Sequence, residues 1–270
     1  MSNDLKHRMI DDVLEGRPVS GFDIIDAHTH MGRWQNFNTP MHTAEEMVRL
    51  MDRAGIRSCI SAAHSSIGPD FRYGNDMVLA AMRQFPGRVF GFCCVNPNYP
   101  PEETREELNR CFDQGMIAIK FHPGCHKYRA DGEGYRPAWE FAEERGLCVL
   151  SHTWLGDPNC GPMIFRQPAL DYPSAKIILG HTAYGYEGAR ICCEMAAELP
   201  NVYLDIACSL LAVGLIERMV DGAGAERVLF GTDLPFLDCR PPIGRLAFSK
   251  LDDTQLALVL GGNASRLFGI

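Results

Sequence analysis

The chain has 270 residues, of which 46% are hydrophobic, and it carries a net charge of -8 at pH 7. This acidic balance, without any cluster of Lys and Arg, argues against a nucleic-acid partner. No apolar run approaches the roughly 20 residues of a membrane span, and the charged N-terminus lacks the apolar segment of a signal peptide. We therefore expect a cytoplasmic protein with a small-molecule substrate and no membrane partner.

Eight short apolar runs recur along the chain, and segments with helical periodicity fill the intervals between them. Each run is apolar almost throughout, which is typical of parallel strands covered on both faces. The runs span 22–28, 57–63, 88–95, 116–122, 147–152, 176–181, 201–207 and 227–233. The helical segments span 44–55, 74–85, 102–115, 136–146, 188–199 and 210–222. Thr43 is a candidate N-cap for the first of them, which ends at Gly55.

This alternation predicts an α/β fold of the (β/α)8 TIM-barrel type, for which about 250 residues is the usual length. We expect a single domain over residues 1–270, with residues 1–21 as an N-terminal extension that packs on the barrel. A doubly wound open sheet is the alternative. However, no GxGxxG motif follows the first strand, which ends in His rather than Gly.

Polar side chains stand at the carboxyl ends of five of the eight predicted strands. These strand ends form the active-site face of a TIM barrel, and alternate residues of a strand project to the same side. The residues are His28 and His30, Lys120 and His122, His152, His181, and Asp233. Each has an ordinary structural explanation alone, but together they would place unpaired polar groups close to one another. A bound metal ion accounts for all of them at once.

Five motifs, in this order, resemble the amidohydrolase superfamily. They are DAHTH (26–30), IKFHPG (119–124), LSHT (150–153), ILGHT (178–182) and LFGTDLPF (229–236), and the closing segment LGGNASRLFGI (260–270) completes the resemblance. The subgroup that the chain most resembles is "amidohydrolase 2", which includes aminocarboxymuconate semialdehyde decarboxylase and γ-resorcylate decarboxylase. The resemblance implies a TIM barrel with a metal ion at its mouth.

The resemblance also implies roles for the strand-end residues. His28, His30 and Asp233 would bind the metal, joined by His152 in one-metal members, where His181 stays free as an acid or base. In two-metal members a carboxylated Lys120 would bridge two ions that His152 and His181 help to bind. We favour one ion, in which case Lys120 would hold a substrate carboxylate or pair with an internal acid.

The ligands are all nitrogen and oxygen atoms, which suit Zn²⁺ first and also Mn²⁺, Fe²⁺ or Ni²⁺. We expect a metal-activated water to hydrolyse a small ester, lactone or amide, with Asp233 moving the proton and His181 stabilising the oxyanion. The alternative is a non-oxidative decarboxylase, or a hydratase, acting on a small unsaturated or aromatic carboxylate. The short loops favour hydrolysis, since the related decarboxylases are typically longer. The resemblance is compatible with a homodimer, although no sequence feature specifies one.

Further residues are candidates for supporting roles around this site. Asp26 shares the predicted face of His28 and His30 and is expected to orient a ligand imidazole, with a buried structural Asp as the alternative. His122 is a candidate substrate contact. The candidate pocket residues are Trp34, Trp154 and Arg240. His64 matches no ligand position, and Asp205 either points into the barrel or supports it.

Overall fold

The computed structural model describes residues 4–208 and 212–270. Within these ranges eight parallel strands form one sheet in which each strand pairs with its neighbours in sequence. The strands are β1 (Ile25–Met31), β2 (Ser58–Ala63), β3 (Val89–Cys94), β4 (Ala118–Phe121), β5 (Cys148–His152), β6 (Lys176–Gly180), β7 (Val202–Asp205) and β8 (Val228–Leu229). This topology confirms the predicted TIM barrel.

Helices connect the strands and cover the outside of the barrel. They are α1 (Asp4–Leu14), α2 (Ala44–Ala54), α3 (His64–Ile67), α4 (Phe71–Gln84), α5 (Pro101–Asp113), α6 (Pro123–His126), α7 (Arg136–Arg145), α8 (Arg166–Asp171), α9 (Gly185–Glu198), α10 (Leu215–Ala223), α11 (Arg240–Ala247), α12 (Asp253–Ala257) and α13 (Asn263–Phe268). Thr43 caps α2 as predicted, and Gly55 ends it with a φ of 81°. The predicted helix 210–222 is observed as α10, and residues 210 and 211 lie outside the described ranges.

The barrel closes where the chain after β8 meets β1. Strand eight is shorter than the predicted 227–233, because the residues after Leu229 leave β7 and bond to β1 instead. The amide of Ala27 donates to the carbonyl of Phe230, and the amide of Asp233 donates to the carbonyl of His28, both at 2.9 Å. These bonds fix the position of residue 233 relative to the two strand-one histidines.

Two apolar clusters stabilise this architecture, one inside the barrel and one between the barrel and its helices. The interior cluster includes Ile25 and Ala27 of β1, Ile60 of β2 and Phe92 of β3. The outer cluster contains the strand residues that face the helices, together with the buried faces of those helices. Both faces of each strand are therefore apolar, which explains the near-continuous runs in the sequence.

The N-terminal helix α1 lies against the end of the chain. The amides of Leu5 and Lys6 donate to the carboxylate of Asp253 at 3.1 and 2.9 Å, and the Lys6 ammonium donates to the carbonyl of Leu251 at 2.9 Å. In the described ranges, no helix has both the length and the apolar character needed to cross a lipid bilayer.

The carboxylate of Asp26 reinforces the closure of the barrel. It accepts hydrogen bonds from the amides of His28 and Thr232 at 3.2 and 3.0 Å, and from the Thr232 hydroxyl. We expect Asp26→Ala to lower the free energy of unfolding by about 2–4 kcal/mol, because it leaves buried donors without an acceptor. Urea unfolding measures this loss.

Asp23→Ala is the matched control, since the Asp23 carboxylate is 55% exposed and pairs with Arg57 at the surface. Exposed pairs of this kind stabilise a protein by at most about 1 kcal/mol. Equal losses for the two variants would contradict the role of Asp26 in closing the barrel.

Candidate metal centre

Two histidines of β1 and the aspartate after β8 converge at the C-terminal mouth of the barrel. His30 Nε2 lies 3.4 Å and His28 Nε2 lies 3.7 Å from Asp233 Oδ1. One donor atom from each of the three residues lies within 4.8 Å of the other two. Asp233 has a left-handed φ of 64°, and its amide donates a hydrogen bond to the carbonyl of His28. Together these features direct its carboxylate toward the histidines. Two imidazole nitrogens and a carboxylate oxygen form a donor set that fits a divalent cation.

The surroundings of these groups give them the protonation states that cation binding requires. Burial lowers the pKa of His30 to about 4 and also lowers the pKa of His28, so both rings are neutral at pH 7. Burial alone would raise the pKa of Asp233. The hydrogen bond from His30 and the nearby His181 and His28 outweigh that effect and hold this pKa well below its usual range. Neutral imidazoles and an ionised carboxylate are the ligand forms that bind metal ions.

Asp205, at the end of β7, holds the ring of His28. Its Oδ2 lies 2.7 Å from His28 Nδ1, and its Oδ1 accepts hydrogen bonds from the amides of His181 and Ala207 at 2.7 and 3.1 Å. Burial raises the pKa of Asp205, but the interactions with His28 outweigh it, so the net shift is downward. An ionised carboxylate only accepts, so Nδ1 of His28 carries the proton and Nε2 presents its lone pair.

The sequence left the direction of Asp205 open between the barrel interior and a supporting role. The structure places its side chain against the candidate ligand His28. A charged residue within the apolar run VYLDIA is the sequence signal for this contact, because a buried carboxylate requires a partner.

Asp26 does not orient an imidazole, contrary to expectation. Its carboxylate contacts backbone amides and Thr232 instead, and burial raises its pKa to about 7. The reason is a break in strand alternation. Asp26 pairs with Cys59, whereas Thr29 pairs with Ser61, so the register of β1 shifts by one residue between them. Residues 26 and 28 therefore do not share a face.

Lys120 lies inside the cluster, with its ammonium nitrogen 2.7 Å from His28 Nε2. Burial lowers the pKa of Lys120 to about 8. The lysine contacts the same lone pair that a metal ion would use. A bridging role and a substrate-binding role for Lys120 both stay predictions.

His152 and His181 form a hydrogen-bonded pair beside the three donors. His181 Nδ1 bonds to the carbonyl of Ala207, and His181 Nε2 lies 3.0 Å from His152 Nδ1. Because a carbonyl only accepts, His181 Nδ1 is the donor, so its Nε2 offers a lone pair that accepts a hydrogen bond from His152 Nδ1. His152 Nε2 then carries a lone pair, as a metal ligand must. Both nitrogens of His181 make hydrogen bonds here, and its expected role as an acid or base stays a prediction.

The ring of His122 stacks on His152 with a centroid distance of 4.2 Å. Within the described ranges, the donor group of His28, His30 and Asp233 does not include His152. The structure thus brings His152 and His122 next to the cluster, and their predicted roles as ligand and substrate contact stay predictions.

Aromatic side chains surround the mouth of the site. Trp34 packs on Phe236 and His64 with centroid distances of 5.6 and 5.5 Å, and Trp154 stacks on Tyr184 at 4.2 Å. His64 in turn stacks on His30 at 5.0 Å. Sequence reasoning missed Phe236 and gave His64 no role. Their position depends on contacts between the loops after β1, β2 and β8, for which the sequence carries no local pattern.

Arg240 lies away from this mouth, contrary to its expected place in the pocket. Its guanidinium is 71% exposed and pairs with Asp238, and it borders a surface groove formed with Val13 and Arg53. The physical reason is that the segment after β8 crosses the barrel mouth before α11 begins. Residue 240 therefore starts a helix on the outside of the barrel.

Comparison with known proteins places the chain in a family. Residues 25–270 match the family model described as Amidohydrolase. The chain belongs to this amidohydrolase family. The match confirms the resemblance inferred from the sequence motifs.

Similar amidohydrolases are named as decarboxylases. Gamma-resorcylate decarboxylase of Polaromonas sp. (strain JS666 / ATCC BAA-500) is 23% identical, and the match covers 83% of this chain and 86% of the relative. The crystal structure of 5-carboxyvanillate decarboxylase from Sphingomonas paucimobilis has a TM-score of 0.75 and 14% identity, covering 93% of this chain and 100% of that chain. Dihydroxybenzoic acid decarboxylase from Polaromonas sp. JS666, with bound manganese and the inhibitor 2-nitroresorcinol, has a TM-score of 0.71 and 19% identity, covering 92% and 97%.

The expectation of ester, lactone or amide hydrolysis is wrong. The similar proteins are decarboxylases of aromatic carboxylates, which is the alternative reaction considered from the sequence. The preference for hydrolysis depended on short loops. Loop length does not determine the reaction, because one cluster of metal ligands and proton-carrying groups can serve both chemistries.

The contact between Asp205 and His28 gives a test of the candidate centre. In Asp205→Asn, the amide oxygen still accepts from the His181 and Ala207 amides, so the amide nitrogen faces His28 Nδ1. His28 must then accept at Nδ1 and carry its proton on Nε2, where it blocks coordination. We expect Mn²⁺ affinity to fall about 10- to 100-fold, measured by calorimetry on chelator-treated protein.

Asp23→Asn, an exposed aspartate, serves as the control and should leave Mn²⁺ affinity unchanged. Unaltered Mn²⁺ binding in Asp205→Asn, with the protein folded, would show that His28 Nε2 is not a ligand.

Proposed function

We propose that the protein is a metal-dependent decarboxylase that releases CO2, without oxidation, from a small hydroxylated aromatic carboxylate. The observation that carries this proposal is the buried convergence of His28, His30 and Asp233 beneath an aromatic mouth. The names of the similar proteins, which are decarboxylases of resorcylate, carboxyvanillate and dihydroxybenzoate, support the substrate class.

The ion would be held by Nε2 of His28, Nε2 of His30 and the carboxylate of Asp233, with Nε2 of His152 as a fourth donor. Mn²⁺ is our first choice, because two of the similar decarboxylases contain manganese. Zn²⁺, favoured from ligand type alone, is the competitor, since nitrogen and oxygen donors do not discriminate between the two. When bound, such an ion supplies positive charge that binds and polarises substrate oxygens.

Asp233 is the residue we assign to proton transfer. Its side chain is 16% exposed, whereas those of His28 and His30 are 0% and 3% exposed, so the carboxylate is the member of the cluster that a substrate reaches first. It takes the proton of the substrate hydroxyl and delivers it to the ring carbon that bears the carboxylate. The bond from that carbon to the carboxylate then breaks, its electron pair stays with the ring, and CO2 leaves.

The other residues of the site position these groups. Asp205 and His181 fix the rings of His28 and His152. The rings of Trp34, Phe236 and Trp154 suit a flat substrate and exclude water from the reacting atoms. Exclusion of water from the site strengthens the attraction between the negative charge of the substrate and the positive charge that a bound ion supplies.

The proposal is tested by CO2 release from 2,6-dihydroxybenzoate and 5-carboxyvanillate, with benzoate as a hydroxyl-free comparison. We expect turnover of at least one hydroxylated acid, loss of turnover after a chelator, and recovery on adding Mn²⁺. Zn²⁺ in place of Mn²⁺ compares the two ions directly. Turnover that survives complete removal of metal, or CO2 release from none of these acids, would contradict the proposal.

Asp233→Asn should lower kcat by at least about 100-fold, because a positioned proton carrier contributes that much or more. Asp238→Asn is a control from the same loop, since Asp238 pairs with the exposed Arg240, and it should stay within about twofold of the unaltered enzyme. Full activity in Asp233→Asn would show that Asp233 does not carry the proton.

A further inference from the structure

His64 is a buried histidine with one ring nitrogen that has no assigned use. It follows β2 as the first residue of α3 and is 1% exposed. Its Nδ1 lies 2.7 Å from the carbonyl of Gly32. Its Nε2 is enclosed and has no hydrogen-bond partner among the residues that the structure describes. A buried polar atom left in this way costs free energy unless a ligand or an ordered water pairs with it.

The bond to Gly32 determines what kind of partner His64 needs. A backbone carbonyl only accepts hydrogen bonds, so Nδ1 carries the proton and Nε2 of the neutral ring carries the lone pair. The missing partner is therefore a hydrogen-bond donor. A carboxylate oxygen has no proton to donate, whereas a phenolic hydroxyl does.

The surroundings of His64 connect it to the candidate centre without making it a ligand. Its ring stacks on His30 with an interplanar angle of 21° and packs on Phe236 with a centroid distance of 4.0 Å. In the described part of the chain, the donor groups that could hold an ion do not include His64. The ring also borders a cavity of about 340 Å³ that Trp34 lines. Because His64 contacts both His30 and Trp34, a flat ligand that binds beside His30 and extends toward Trp34 would lie next to His64.

We infer that Nε2 of His64 accepts a hydrogen bond from a ring hydroxyl of the substrate and thereby selects aromatic acids that carry a hydroxyl on the side facing β2. This inference rests on the proposed function, since it takes the barrel mouth as the substrate pocket. It assigns specificity to a residue that follows β2 and lies outside the metal cluster. An analogue with hydrogen at that position would leave the lone pair unpaired.

The test compares the binding of 2-nitroresorcinol with that of 2-nitrophenol, which lacks one hydroxyl. Neither compound carries a carboxylate, so affinity can be measured by calorimetry on the Mn²⁺-loaded protein whether or not it is a decarboxylase. We expect the unaltered protein to bind 2-nitroresorcinol about two- to tenfold more tightly, the range of one neutral hydrogen bond. We expect His64→Phe, which keeps an aromatic ring but has no acceptor, to reduce this ratio to near one.

Two further variants and a control separate the hydrogen bond from a general loss of fit. His64→Leu also lacks an acceptor and should lose the preference, and it gives a second measurement that does not depend on fitting a phenylalanine ring. His64→Gln has a carbonyl acceptor and should restore part of the preference. His42→Phe is the matched control, because His42 also bonds Nδ1 to a backbone carbonyl, that of Thr39 at 2.7 Å, and it should keep the full ratio.

The outcomes distinguish this inference from the proposed function. A hydroxyl preference that disappears in His64→Phe or His64→Leu supports the inference, even where no acid is decarboxylated. The absence of decarboxylation would overturn only the proposed function. Equal binding of the two compounds by the unaltered protein, or a preference that persists in both variants, overturns the inference even where CO2 is released.

Discussion

The hydrogen bond from the amide of Asp233 to the carbonyl of His28 is the contact on which the site depends. It joins the end of β1 to the chain after β8, and so it closes the barrel and sets the distance between two candidate ligands in one step. Asp233 adopts a left-handed φ of 64° to make this bond, a conformation that costs a non-glycine residue about 1–2 kcal/mol. The neighbouring bonds of Asp26 and Thr232 offset that cost.

Close approach of the backbone around His28 requires small residues on the adjacent strand ends. A Cβ at Gly231 would lie 2.9 Å from the Cβ of His28, and one at Gly180 would lie 2.6 Å from the carbonyl oxygen of Ser151 and 3.2 Å from the ring of His28. A side chain at Gly231 would displace His28, and one at Gly180 would displace the Ser151 carbonyl and crowd the imidazole. Gly180 and Gly231 therefore make room for the ring. His181, directly after Gly180, and Asp233, two residues after Gly231, supply the polar groups.

Much of this arrangement could be predicted from the sequence, because each of the main residues sits in a local pattern. Continuous apolar runs predicted the eight strands, and His28, His30 and Asp233 stand at strand ends that a barrel must bring together. Asp26 was misassigned since a register shift within β1 breaks the alternation that the prediction assumed. Such a shift depends on pairing with β2 and leaves no trace in the spacing of residues 26, 28 and 30.

The features that bear on the choice of reaction come from residues that lie further apart in the sequence than the paired strands β1 and β2. The three donors can support hydrolysis or decarboxylation, so they do not decide between them. The shape of the mouth follows from Trp34 after β1, His64 after β2 and Phe236 after β8, which meet only when the barrel is closed. Each of these residues occupies an ordinary loop or helix start in the sequence. Their common feature, a set of flat faces beside His30, exists only in three dimensions, and under the proposed function it is the feature that receives a planar aromatic substrate.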